Sequence, residues 1–241
     1  MIAPKFAKEI SKILERISCE QSENIIKASE IVRDTIKNDG LIFTFGCGHS
    51  HLVALDSFYR AGGLANVSAV LDTDLMLHNG AAKSSAMERM AEISPEIFKR
   101  YSIGKNDCIF IISSSGINGV PVEMALCAKE AGVKSVAITS MEYAHDVSRH
   151  SSGMHLYEAA DMYIDACVPH GDAVIDIGGK KMGSVSTVAG TFILQSVLME
   201  AGEMCAKEGL PLPVYLSGNI EGGSEFNKSL IDEYIPRVKH L

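Results

Sequence analysis

Tryptophan is absent from this 241-residue chain, and no two of its six cysteines form a C-x-x-C pair. The first absence removes a common stacking platform for polysaccharides and says nothing against a small ligand. The cysteines, scattered at 19, 47, 108, 127, 167 and 205, read as reduced, mostly buried thiols rather than a disulfide framework. Basic charge is also scarce. Against 30 Asp and Glu there are 22 Lys and Arg, a formal charge of −8, which argues against nucleic acid as a partner because phosphate-backbone binding needs a basic face. A local basic pocket for one phosphate is compatible with that total. The longest apolar stretch, Val185–Met199, is interrupted by Ser186, Thr187, Gly190 and Gln195 and falls short of the roughly 20 residues that span a bilayer. The opening Met1-Ile2-Ala3-Pro4-Lys5 lacks a secretory apolar core, so the cytoplasm is the expected compartment and a membrane is not an expected partner. No G-x-x-x-x-G-K-[ST] or H-E-x-x-H motif occurs, and no paired spacing calls for a metal or cofactor.

Hydrophobic residues make up 46% and charged residues 22%, ordinary globular values that permit a large core. Apolar spacing over residues 3–38 predicts one or two amphipathic helices, closed by Asn38-Asp39-Gly40. Leu41–Phe45 reads as a buried strand, followed by a Gly-rich turn and a helix to about Arg60. Further strands are expected at 66–71, 107–112, 135–139 and 161–167, with helices near 84–92, 95–101 and 119–131 and a long one over 182–207. The tail from Gly209, with Pro211, Pro213, Gly218, Gly222 and Gly223, reads as loop-rich. Strands alternating with helices predict an α/β fold with a parallel, doubly wound sheet covered on both faces. No repeat or linker interrupts it, so residues 1–241 are expected to be a single domain: a helical segment to 39, a core over 40–207 and a tail over 208–241.

Ligands of such sheets sit beyond the carboxyl ends of the strands, where strand order reverses. Two turns suit that place. Gly46-Cys47-Gly48-His49-Ser50-His51 follows the first strand, and Ser113-Ser114-Ser115-Gly116-Ile117-Asn118 follows the central one. Each offers hydroxyls and unpaired backbone N–H groups at a helix start, where the helix dipole favours an anion. Either turn alone reads equally well as a helix cap; their pairing is what points to a site. A dinucleotide fingerprint is only partly matched. His51 stands where the third glycine belongs, Asp72 and Asp74 fall near the ribose-acid position, and the serine run goes unexplained.

With both loops in hand, the chain resembles the SIS (sugar isomerase) domain family. The resemblance rests on Phe43-Thr-Phe-Gly-Cys-Gly-His-Ser50, on Asp107-Cys-Ile-Phe-Ile-Ile-Ser-Ser-Ser-Gly116 with Ala128 and Gly132, and on Gly183-Ser-Val-Ser-Thr187. The first loop is similar to that of the isomerase domain of glucosamine-6-phosphate synthase, the second to that domain and to phosphoheptose isomerase. Phe58-Tyr-Arg-Ala-Gly-Gly63, Leu75-Met-Leu-His-Asn-Gly80 and Ser148-Arg-His-Ser-Ser-Gly153 look like one bacterial subfamily. The resemblance implies a five-stranded αβα sandwich, a sugar phosphate as ligand and a homodimer or homotetramer with sites near the subunit interface. By position it implies phosphate or sugar contacts from Gly48, Ser50, Ser113, Ser114, Ser115, Asn118 and Ser186.

The family's catalytic groups do not carry over. Where phosphoheptose isomerase and the related etherase have a glutamate, ten residues after the first-loop serine, this chain has Arg60, and residues 184–207 contain no histidine. Moving a proton between C1 and C2 of a sugar needs a base, and ring opening needs an acid–base partner. The candidates are His49 in the first loop, His78 on the 71–80 segment and Glu88 in the following helix; His51 reads as helix surface. Ser148-Arg149-His150-Ser151-Ser152 offers further donors, or is an ordered loop. The expectation is a sugar-phosphate isomerase acting on a sugar or amino sugar; the alternatives are a lyase or etherase, or a non-catalytic phosphosugar sensor.

Overall fold

The computed structural model describes residues 1–241. Helices α1 (Ile2–Glu20) and α2 (Ser22–Lys37) lead into β1 (Ile42–Gly46), followed by α3 (Ser50–Asp56) and β2 (Val67–Val70). Two short 3-10 turns at 73–75 and 77–79 precede α4 (Ala81–Met87) and α5 (Ser94–Arg100). Next come β3 (Cys108–Ile112), α6 (Gly119–Glu130), β4 (Lys134–Thr139), α7 (Leu156–Ala159) and β5 (Met162–Asp165). An antiparallel pair, β6 (Ala173–Ile177) and β7 (Lys180–Ser184), leads into α8 (Ser186–Glu208), and α9 (Gly223–Tyr234) lies near the end.

The five-stranded sheet is all parallel in the order β2-β1-β3-β4-β5. Both faces are buried, which is why its strands read as unbroken Val/Ile/Phe runs. Side chains alternate across the pleat. Ile42, Cys108, Phe110, Ile112, Val136 and Ile138 point to a core shared with α1, α2, α3 and α8; Phe43, Phe45, Ile109, Ile111 and Ala137 point to a second core under α5, α6, α7 and α9. The chain lays β2 on one side of β1 and then places β3 on the other. Order therefore reverses between β1 and β3, where a crevice opens at the carboxyl ends.

Three expectations are corrected here. The long helix starts at Ser186 rather than 182, because Gly178 and Gly179 (φ 61° and 78°) form a two-residue turn that folds β7 back on β6. The helix after the first loop stops at Asp56. Ser57 Oγ donates to the Ala54 carbonyl at 2.8 Å, and Tyr59 adopts φ 45°, a conformation no right-handed helix continues through. The tail is not all loop: Leu230, Ile231 and Tyr234 of α9 supply an apolar face against the second core. No helix is long and apolar enough to cross a membrane.

At the amino-terminal edge of the sheet Asp107 stitches two loops together, accepting from the N–H of Leu41 at 2.7 Å and of Gly104 at 2.8 Å. Asp107→Ala strands both donors, that of Leu41 being buried. The substitution should cost about 2 kcal/mol. The thermal midpoint should then fall by roughly 4–8 °C. An unchanged midpoint would show that these loops hold without the carboxylate.

Candidate active site

Register fixes the two loops side by side. Gly46, the last residue of β1, pairs with Ile112, the last of β3. From there the first loop turns into α3, and it needs Gly46: a Cβ there would lie 2.5 Å from the Ser50 carbonyl. Gly48 takes φ 56° and donates its N–H to the Leu75 carbonyl at 2.9 Å, which ties the 72–79 segment to the loop. The second loop is anchored to β4, with Ser113 N–H on the Ile138 carbonyl at 3.0 Å and the Ser114 carbonyl accepting from Ser140 N–H at 2.9 Å. At its apex Gly116 (φ 62°) leaves no room for a side chain, since a Cβ would sit 2.7 Å from Thr139 Oγ1. Its N–H donates to the buried Ser113 hydroxyl at 3.3 Å.

This anchoring leaves a row of backbone donors unused. The N–H groups of Ser114, Ser115, Ile117, Asn118 and Gly119 find no acceptor in the chain. They surround the start of α6, where the helix dipole adds partial positive charge, a recurrent setting for phosphate. Ser50 stands at the start of α3 across the crevice, half-buried, with His49 exposed beside it.

Glu88 joins the two loops. Just past α4, it presents its backbone carbonyl to Val120 N–H at 3.0 Å, in the first turn of α6. Its carboxyl is largely buried, and burial pushes it above the ordinary glutamate range; the Asn118 amide and the guanidinium groups of Arg149 and Arg89 pull partly the other way. The charge of the same carboxyl is felt in the first loop: with that of Asp72 it adds to the burial that raises the Cys47 thiol well above its usual value. Cys47 is therefore an inert buried thiol.

His78 stands exposed on the second 3-10 turn, its ring 6.0 Å from that of His51 and edge-on to it. His51 is not helix surface, as its position suggested: it is 4% exposed, and its Nδ1 donates to the Gly48 carbonyl at 2.6 Å, bracing the first loop from inside. Ser186 is engaged elsewhere. Asp172, at the base of the β6–β7 pair, accepts from the Ser186 hydroxyl at 2.8 Å and from the Ser186 and Val185 N–H groups at 2.7 and 3.0 Å. Through Asp172, Ser186 thus serves the start of α8. Asp72 and Asp74 are occupied by ion pairs with Arg100 and Lys83, which accounts for both without a nucleotide. Arg60 is paired with Asp56. No group of three or more His, Cys, Asp or Glu is placed to hold a metal ion.

Volume alone does not mark this crevice. A cavity of about 490 Å³, lined among others by Leu41, Tyr101, Asp107, Arg237 and Lys239, lies at the opposite edge of the sheet. A sequence reading leaves Arg89 out, takes His51 for helix surface and offers Arg149 only among the donors of the 148–152 stretch. Only the fold brings Arg89 and Arg149 to the second loop.

The description of the SIS domain matches residues 5–140. The UPF0309 protein of Caldanaerobacter subterraneus is 46% identical over 98% of both chains. The chain belongs to the SIS-domain family and, within it, to the UPF0309 proteins. Its fold is similar to the phosphoheptose isomerases of Neisseria gonorrhoeae (18% identical, TM-score 0.55, covering 85% of this chain and 97% of that one) and Francisella tularensis (13%, 0.54, 83% and 96%).

The burial of Glu88 has a consequence for stability with a definite sign. Its folded-state affinity for a proton exceeds that of the unfolded chain, so ionisation favours unfolding. The penalty is absent below the ordinary glutamate range, grows as pH rises through it, and persists once the folded group has itself ionised. Glu88→Gln should therefore melt above wild type at pH 8, the two midpoints converging toward pH 4. Equal midpoints at pH 8 would show that the carboxyl bears no cost of burial.

Proposed function

We propose that this chain, acting as a single SIS unit in the cytoplasm, binds a phosphorylated sugar or amino sugar and interconverts its aldose and ketose forms. The observation that supports the reading is Glu88, a carboxyl raised by burial, tied by its backbone to the first turn of α6 and felt electrostatically by Cys47 of the first loop. The phosphate lies on the hydroxyls of Ser113, Ser114 and Ser115, on the free N–H groups of Ser114 and Ser115 and on the amide of Asn118; Gly48 and Ser50 face the sugar. Glu88 takes the proton from C2 of the open-chain aldose while O1 gains one, giving an enediol. It then returns the proton to C1 as O2 loses its own. A base whose proton affinity lies above an ordinary carboxylate's is better matched to this step near neutral pH. His49 and His78 are the candidates for the oxygen-bound protons and ring opening. Leu52 and Leu55 of α3, with Val188 and Met199 of α8, are exposed apolar side chains that support assembly into a homodimer or homotetramer.

The ion-paired Arg60, at the position where the family's isomerases have glutamate, supports a second reading, a sensor that binds without turnover. Solvent exchange separates them. The first experiment is a thermal-shift screen of wild type and a Ser113→Ala/Ser115→Ala variant against sugar phosphates and the corresponding free sugars. A ligand at 100 times its Kd should stabilise by about 2.7 kcal/mol, and only in the phosphorylated form. The sugar phosphate so found should lose its C1 or C2 deuterium to water with wild type and at least 100-fold more slowly with Glu88→Gln, binding being retained. Binding without exchange in wild type would leave the sensor; a folded protein that no sugar phosphate stabilises would sink both.

A further inference from the structure

Most arginines of this acidic chain are committed to carboxylates. Arg16 pairs with Glu20, Arg33 with Asp34 and Glu208, Arg60 with Asp56, Arg100 with Asp72 and Arg237 with Asp39. Arg89 and Arg149 alone have no carboxylate partner, although acidic residues outnumber basic ones by 30 to 22. Both act on one and the same carboxyl, that of Glu88, so two segments far apart in sequence bring their free positive charges to one place.

The backbone holds both residues there. The backbone of Arg89 lies against the start of α6: a Cβ on Gly119 would stand 2.7 Å from the Arg89 carbonyl oxygen. Arg149 donates its backbone N–H to the Ile117 carbonyl at 2.8 Å, and one nitrogen of its guanidinium, Nη1, to Asn118 Oδ1 at 2.6 Å. The rest of the fork is unpartnered. The loop beneath Arg149 is fixed by its neighbour His150, which is buried. His150 Nδ1 accepts from the Ser152 N–H at 3.2 Å and lies 2.8 Å from the Ser152 hydroxyl, so Nε2 carries the proton and donates to Glu123 of α6 at 2.8 Å. Ser148 Oγ closes the same loop on the Met154 carbonyl at 2.6 Å. A planar guanidinium held this way loses little freedom when it forms paired hydrogen bonds to an oxyanion.

Building on the phosphosugar reading, we infer that Arg89 and Arg149 form a clamp for the charged group of the substrate at the start of α6, and that this clamp sets the preference for a phosphorylated over a neutral sugar. A phosphate ester carries about 1.5 to 2 negative charges at pH 7, which two guanidinium groups match. The neutral N–H groups and serine hydroxyls then give the oxyanion its position, and the arginines give it its charge balance. Asn118, touching one of the two arginines and lying beside Glu88, places the clamp next to the proposed base.

Binding of inorganic phosphate, and of the sugar phosphate found by the thermal-shift screen, tests this by titration calorimetry over a range of NaCl. The variants are Arg89→Gln, Arg149→Gln, the double Gln variant, Arg149→Lys and Ser113→Ala/Ser115→Ala. Each single Gln variant should weaken phosphate about 10-fold and the double about 100-fold, the cost of losing one or two charged hydrogen-bonding groups. The double variant should also lose most of the salt dependence, and Arg149→Lys should recover part of the affinity. The backbone contacts of both positions survive these changes, and circular dichroism verifies the fold. A folded double Gln variant that binds within twofold of wild type, with the same salt dependence, while the serine variant does not bind, would overturn the clamp and leave the phosphosugar reading standing. Wild type that binds neither inorganic phosphate nor any sugar phosphate would overturn both.

Discussion

The pairing of β1 with β3 governs the rest of the molecule. Parallel strands are joined by slanted hydrogen bonds in a fixed register, and here that register sets Gly46 opposite Ile112. Both strands therefore end at the same height, and their following turns leave the sheet side by side. Because β2 and β3 lie on opposite sides of β1, the helices that follow these turns, α3 and α6, depart to opposite faces. The chain must part at this point, and the gap is lined by helix starts with their N–H groups uncovered. The site is a by-product of how a doubly wound sheet has to be threaded.

What fills this gap is a balance of charges within an acidic protein. Uncovered N–H groups and the guanidinium of Arg149 lie at the start of α6, and the largely buried carboxyl of Glu88 feels the charge of Arg149 and of Arg89. Each arrangement is unfavourable alone: a buried carboxyl resists ionising, and unpaired donors forgo hydrogen bonds. Placed together they compensate in part. On the proposed reading, the remainder stays unsatisfied until an anion arrives.

Much of this was legible in the sequence. The five strands announced themselves as short apolar runs, since both faces of the sheet are buried, and the two glycine-serine turns follow strands in a way that local chemistry makes visible. The sequence reading assigns no element between 167 and 182, so the β6–β7 pair went unseen, and the apolar stretch beyond it blurred the start of α8. In α9, clustered prolines and glycines upstream outweighed a modest amphipathic pattern. Ser186 matched by position yet turned to Asp172, a partner set by the hairpin. His51 lies in the first loop with no sign that it is buried, Arg149 stands in a run of donors with nothing to single it out, and Arg89 carries no periodic or motif signal; their importance is a property of distance in space, which a linear pattern does not encode.

The Asp172 contact also bears on how modular this chain is. A surface hairpin ordinarily looks like an accessory that could be shortened without penalty, because insertions in exposed connections are tolerated. Here the residue at its base satisfies the first amides of the longest helix in the molecule, whose inner face carries Ala189, Ile193, Leu194 and Val197 into the core. Pruning the arm would uncap that helix, and ornament and framework share one foundation.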